Sequence, residues 1–282
     1  MDRAEARAGA GSRDGARTSA ARLGTGIARA KERDGMKRTF IGAHTGCGDA
    51  PDNTWASYLE GVASGADIVE VDVLTARDGT LLLLHDDKPE LKSHGFAELN
   101  EPGLRARVAP HHGEHELARL DDVLRHAAAH RIRLNLDLKS PEAIDPAMAL
   151  VRTYRAEGLA FVTGCSAGMP ERYPDVPALW NAPTTAPSAG EEEAYAKAVC
   201  ETAVRLGYRG INLNKATCSE AVVRSAQEAG LMVWVYTVND PEEMLRFAAI
   251  GVDAITTRRP ATLRACLTEE RMDSKESDDL RR

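Results

Sequence analysis

No run of residues in this 282-residue chain approaches the ~20 consecutive apolar positions of a bilayer-crossing helix, so no membrane span is expected. Basic charge is also scarce: 36 Lys and Arg face 43 Asp and Glu, a formal net charge of -7. A surface built to track nucleic-acid phosphates is thereby excluded, although a local cationic pocket is not. The five cysteines, Cys47, Cys165, Cys200, Cys218 and Cys266, are odd in number and widely spaced, with no C-x-x-C pair for zinc or redox work. They read as reduced packing residues of a cytoplasmic protein. Residues 1–36, rich in Ala, Gly and Arg, lack the apolar core of a secretory signal, and their acids Asp2, Glu5, Asp14, Glu32 and Asp34 argue against an organellar transit peptide. They are expected to form a disordered extension, residues 37–267 one folded domain, and residues 268–282 a polar, disordered tail.

Between these ends, short aliphatic runs alternate with amphipathic segments, the pattern of repeated βα units around a parallel sheet. Strands are predicted near 38–44, 67–73, 80–85, 132–138, 159–163, 176–180, 210–214, 231–238 and 252–257. Helices are predicted near 53–65, 117–130, 141–158, 190–206, 217–229 and 240–250, and Asp78 with Gly79 should turn the chain into the third strand. An α/β fold of the TIM (β/α)8 barrel type, which takes roughly 250 residues, accounts for this better than two domains.

Successive strand residues face opposite ways, so the polar residues inside apolar strands carry information. In "DIVEVDV" Val69, Val71 and Val73 share one face, and Ile68, Glu70 and Asp72 the other. In "RLNLDLK" Leu134, Leu136 and Leu138 oppose Asn135, Asp137 and Lys139, and in "GINLN" Ile211 and Leu213 oppose Asn212 and Asn214. In a barrel the polar faces point inward at the C-terminal mouth, where active sites sit. Glu70 and Asp72, about 7 Å apart along a strand, repel each other there. A divalent cation relieves this, and Asp137 would be its third oxygen ligand, a set suited to Mg²⁺ or Ca²⁺. The competing reading is an ion network with Lys139 or Arg133. His44 and His85 each end a strand-like run, and two imidazoles at one mouth can take one proton and return another. His111, His112, His115, His126 and His130 read as surface residues.

These residues resemble the glycerophosphodiester phosphodiesterases, a barrel family that shares its fold with phospholipase D-type spider toxins. The resemblance covers residues 38–265 and rests on "HTG" at His44, "PDNT" at Pro51, "EVD" at Glu70, "DG" at Asp78, "HD" at His85, "DLK" at Asp137, "LMVWVYTVND" and "GVDAITTRRP". It implies metal-dependent cleavage of a small phosphodiester, with Glu70, Asp72 and Asp137 holding the cation, His44 and His85 as acid and base, and Lys139 offsetting charge on the non-bridging oxygens. Tyr236 falls where the family usually has Trp, and with Trp234 on the same strand face it is expected to contact the substrate's organic part. Departures from the pattern are Thr45 in place of an Arg that faces phosphate, Asp52 in place of Glu, Asp137 in place of Glu, and Arg258 in place of an Asp. Arg to Thr removes a planar fork suited to phosphate. Arg258 follows the last strand, which in a closed barrel neighbours the first, so it is expected to supply the missing guanidinium. Two alternatives share the fold: a lyase that cyclises its substrate, and a barrel that binds a phosphorylated ligand without turnover. The sequence leaves substrate headgroup and oligomeric state open.

Overall fold

The structure is a computed structural model in which residues 38–268 are described. The expected extension over residues 1–36 lies outside the described residues, as does the expected tail apart from Thr268, which still belongs to a final helix over 260–268. Among the described residues no helix is long and apolar enough to cross a membrane.

All nine predicted strands form. They are β1 (Phe40–Ala43), β2 (Ile68–Thr75), β3 (Leu81–Leu83), β4 (Arg133–Leu138), β5 (Ala160–Gly164), β6 (Leu179–Asn181), β7 (Gly210–Asn214), β8 (Met232–Tyr236) and β9 (Ala254–Thr257). Eight of them run parallel in the order β5-β4-β2-β1-β9-β8-β7-β6. A parallel bridge between Val162 and Ala178 links the two ends, so the sheet is a nearly closed TIM barrel. The predicted helices are found at Trp55–Ala63, Leu120–His130, Ile144–Thr153, Glu192–Arg205, Glu220–Glu228 and Pro241–Ala249.

The alternation read from the sequence sorts the side chains. Val69, Val71, Val73, Leu134, Leu136, Leu138, Ile211, Leu213, Val233, Val235 and Ile255 belong to the large apolar cluster that joins the sheet to its helices. Each such side chain, fully buried, stabilises the fold by about 1.5–3 kcal/mol. Inside the barrel a second cluster, Phe40, Ile68, Phe161, Leu179, Met232, Trp234 and Ala254, forms the floor. Glu70 and Asp72 follow Ile68 on the same face of β2, so a layer of acids stands on an apolar base.

β3 is a strand but not a barrel stave. It folds back antiparallel on β2, with Val73 opposite Leu83 and Thr75 opposite Leu81. The turn is the one expected at Asp78 and Gly79: Asp78 Oδ1 accepts the Thr80 N–H at 3.0 Å, the Ala76 N–H reaches the Thr80 carbonyl at 2.9 Å, and Gly79 takes φ +82°. Leu74, Leu82 and Leu84 then pack with Leu91, Phe96, Leu99, Val108 and Leu117 in a small core of their own. It is roofed by three helices that the sequence did not announce, Pro89–Ser93, Phe96–Leu99 and Pro102–Val108. At four to seven residues each, they are too short to show an amphipathic period.

The loop from His44 to Asn53 lies directly on the helix Trp55–Ala63. Thr45, Gly46, Cys47, Gly48 and Asn53 all have positive φ, and a Cβ on Gly61 would stand 2.1 Å from the Gly46 carbonyl oxygen. Gly61→Ala should therefore force the loop off the helix and cost about 1–3 kcal/mol, the usual penalty of overpacking. Urea denaturation reads this directly, and a wild-type midpoint would show that the loop is not clamped there.

Candidate active site

β2 presents Glu70 and Asp72 to the barrel interior, and Asp137 on β4 stands directly opposite Asp72. One carboxylate oxygen from each lies within 4.8 Å of the others. Glu70 and Asp72 are buried, and Asp137 is mostly so. Each acid has fixed partners. Glu70 Oε2 accepts the Thr45 N–H at 2.7 Å. Asn53 grips Asp72 twice: its Nδ2 donates to Oδ2 at 2.7 Å and its Oδ1 accepts the Asp72 N–H at 3.0 Å. Asp137 Oδ1 accepts the Thr163 hydroxyl at 3.2 Å. Lys139 Nζ lies 2.8 Å from Asp72 Oδ1 and 2.5 Å from Asp137 Oδ2.

Lys139 thus joins the acids, as the ion-network reading required, but Arg133 does not. Its guanidinium lies over the Phe40 ring, 5.6 Å from the centroid, beside the floor. One ammonium set against three carboxylates leaves two formal negative charges uncompensated in the cluster. Burial, then Asp72 and Asp137, push the Glu70 carboxyl well above the usual range. Asp137 is also raised, chiefly by burial. Burial alone would depress Lys139, but Asp137 and Asp72 more than reverse that and hold the ammonium charged. An all-oxygen donor set with two excess charges suits a hard divalent cation and fits neither zinc nor copper chemistry as well.

Both histidines flank this cluster along one edge of β2. Ala43 pairs with Val69, so His44 begins at the level of Glu70, and its N–H donates to the Thr257 carbonyl at 3.0 Å. From the other direction, β3 returns along β2 until the Leu84 N–H meets the Asp72 carbonyl at 3.1 Å, and His85 is the next residue. The reversed strand therefore brings His85 back down the edge of β2 to the level of the acids. The His85 side chain is 68% exposed, and its Nδ1 is hydrogen-bonded to Asp86 Oδ1 at 2.8 Å. His44 is the contrary case: its Nδ1 is buried and unpartnered. Burial foremost, then the Arg258 charge, bring the His44 pKa down to about 4, against the opposing pull of Asp72 and Asp52.

Tyr236 is half-buried near Asp137 and Lys139, and burial raises its phenol. Trp234 corrects an expectation. It is 1% exposed and packs against Phe161, with ring centroids 4.7 Å apart, in the barrel floor. Two residues along a strand move a side chain one layer, which separates a mouth residue from a core residue. His112 is a second correction, buried in the structure and not on the surface, and His126 Nδ1 is tied to the Tyr58 hydroxyl at 2.9 Å. Arg258 pairs end-on with Asp52, Nη1 to Oδ1 at 2.7 Å and Nη2 to Oδ2 at 2.6 Å. The Thr45 hydroxyl donates to the His44 carbonyl at 2.8 Å. Three residues that the sequence reading does not single out support the site, Asn53, Thr163 and Asn239. Asn53 and Asn239 sit within "PDNT" and "TVND", and the signal for them was the motif rather than any periodicity.

Residues 44–262 match the glycerophosphoryl diester phosphodiesterase family. The chain is 25% identical over 249 residues to the uncharacterised protein YqiK of Bacillus subtilis, covering 82% of this chain and all of that one. It is 24% identical to the glycerophosphodiester phosphodiesterase of Bacillus altitudinis, covering 79% and 95%. Among solved structures, the Oleispira antarctica phosphodiesterase in complex with the product sn-glycerol-3-phosphate superposes with a TM-score of 0.65 at 20% identity, covering 81% of this chain and 96% of that one. The glycerophosphodiester phosphodiesterase structure from Agrobacterium tumefaciens gives 0.64 at 22%, covering 81% and 100%.

The His44 environment has a pH consequence. With a folded-state pKa near 4 against about 6.5 unfolded, the unfolded chain binds more protons between those values. Stability contributed by this group is thus present above pH 6.5 and lost as pH falls towards 4. NMR of the His44 ring should show no titration near pH 6.5, and a midpoint there would contradict the sealed environment.

Proposed function

Because the chain belongs to the glycerophosphoryl diester phosphodiesterase family, we propose that it cleaves a small glycerophosphodiester-like phosphodiester to a phosphomonoester and an alcohol with the help of a divalent cation. The chain is a phosphoric diester hydrolase of that family. The observation that carries the finer reading is the charge imbalance of the mouth: three clustered carboxylates, one ammonium, and two histidines on the bordering edge. Glu70, Asp72 and Asp137 would hold the cation. When bound, Mg²⁺ or Ca²⁺ supplies electrostatic stabilisation of charge on the non-bridging oxygens.

The chain's own residues divide the remaining work. His44, neutral at pH 7, is the base: with Nδ1 sealed in protein, Nε2 takes the proton from the attacking water or neighbouring hydroxyl. His85, steered by its Nδ1 contact with Asp86, is the acid that returns a proton to the leaving oxygen. Asn53 and Thr163 hold Asp72 and Asp137 in place, so the acids are ordered before any ligand arrives. Lys139 and Tyr236 border the ester. Asn181 and Asn212, paired at 3.0 Å on the neighbouring strands, give that side of the mouth a polar lining suited to a small polar alcohol.

Alcohol release from a panel of glycerophosphodiesters should depend on added Mg²⁺ or Ca²⁺ and stop with chelator. Asp137→Asn should weaken cation affinity at least ~10-fold by calorimetry, in line with loss of a ligand or its support. His44→Ala and His85→Ala should each lower kcat by about 10²–10⁴. Phosphorus NMR of the products separates hydrolysis from cyclisation. Activity that survives loss of either histidine would refute their assignment as acid and base.

A further inference from the structure

We propose that Asp52 and Arg258 form an anion clamp on the histidine side of the mouth, in which Asp52 is a positioning residue that aims the Arg258 guanidinium at the substrate phosphate. The clamp rests on the phosphodiester reading and adds to it the residue that orients the phosphate. Its location follows from the sheet. Ala43 pairs with Thr257 across β1 and β9, and the His44 N–H donates to the Thr257 carbonyl, so Arg258 emerges beside His44. Asp52 immediately precedes Asn53, whose side chain is fastened to Asp72. The pair therefore spans the gap between the histidine and the acids.

Its geometry leaves donors to spare. A guanidinium has five N–H groups in a rigid fork, and the end-on contact with Asp52 uses two. Three remain, in a plane fixed by the carboxylate. The backbone beneath is also held: Asn239 Oδ1 accepts the Arg258 N–H at 2.9 Å and the Thr257 hydroxyl at 3.1 Å, and Thr257 Oγ1 accepts the Arg259 N–H at 3.0 Å. The other groups nearby offer less. Lys139 gives two of its three N–H groups to Asp72 and Asp137 and has no planar fork, and Thr45 gives its N–H to Glu70 and its hydroxyl to the His44 carbonyl. A phosphate approaching His44 thus meets Arg258 as its planar cationic partner. Holding the fold together is a poor alternative explanation, because the two side chains are 44% and 42% exposed and ion pairs that open to water add little stability.

The test uses the full chain with Mg²⁺ present and inorganic phosphate as probe, measured by calorimetry beside urea midpoints. Arg258→Ala should weaken phosphate binding about tenfold or more, and Arg258→Lys should recover little of it, because an ammonium does not reproduce the fork. Asp52→Asn should weaken binding several-fold, roughly 3- to 10-fold, yet cost nothing further once Arg258 is already alanine, since coupled residues are not additive. All variants should keep the wild-type urea midpoint. Phosphate bound equally well by wild type and Arg258→Ala, or bound by neither, overturns the clamp whatever turnover shows. An equal loss from Asp52→Asn in both backgrounds overturns the positioning role. If the variants behave as expected but no phosphodiester is cleaved, the clamp stands and the proposed reaction fails.

Discussion

Three carboxylates with oxygens inside 4.8 Å of one another, at the mouth of a barrel with an apolar floor, set the constraint that the surrounding structure answers. Like charges in a low-dielectric setting raise one another's pKa and compete to stay ionised. The fold meets this with donors from several elements: the Thr45 N–H from the first loop, Asn53 from the entry to the first helix, Lys139 from the end of β4 and Thr163 from β5. These donors hold the acids in one arrangement but do not neutralise them. The charge left over is the site's capacity to hold a cation, and it exists only because the donors are too few.

β2 is the element on which the geometry turns. At eight residues it is longer than any other strand, and its two ends do different things. The first six residues pair with β4 as a barrel stave and place Glu70 and Asp72 inside. The last three pair with β3. Because β3 runs backwards, the edge of β2 is approached by β1 from below and by β3 from above, and a histidine follows each. Two residues far apart in the sequence, His44 and His85, thus border the acids from opposite ends of one strand edge.

This explains what could and could not be read from the residues alone. The strand faces were legible, because valines and leucines alternating with acids and asparagines carry a period of two whatever the topology. On those faces Glu70, Asp72, Asp137 and Lys139 meet in the structure. The reversal of β3 was not legible as topology: "TARDGT" announces a tight turn, but a turn into a barrel stave and a turn into a hairpin use the same residues. Trp234 and Tyr236 were indistinguishable for a related reason. They share a strand face, and only the depth of the barrel layer decides that one is floor and the other mouth. The short roofing helices offered no period at all.

The charges at the lip make the same point at longer range. Thr45 and Arg258 each look like an isolated departure from a motif, one losing a guanidinium and the other gaining one. Closure of the sheet makes them neighbours, since β9 lies against β1 and the Thr257 carbonyl takes the His44 N–H. Asp52, 206 positions away in sequence, is the carboxylate that meets the Arg258 fork. A carboxylate one methylene longer would push the guanidinium outward or tilt it, because the end-on contact fixes both distance and plane. The proposed clamp thus joins three departures from the motif, Thr45, Asp52 and Arg258, at one corner of the mouth.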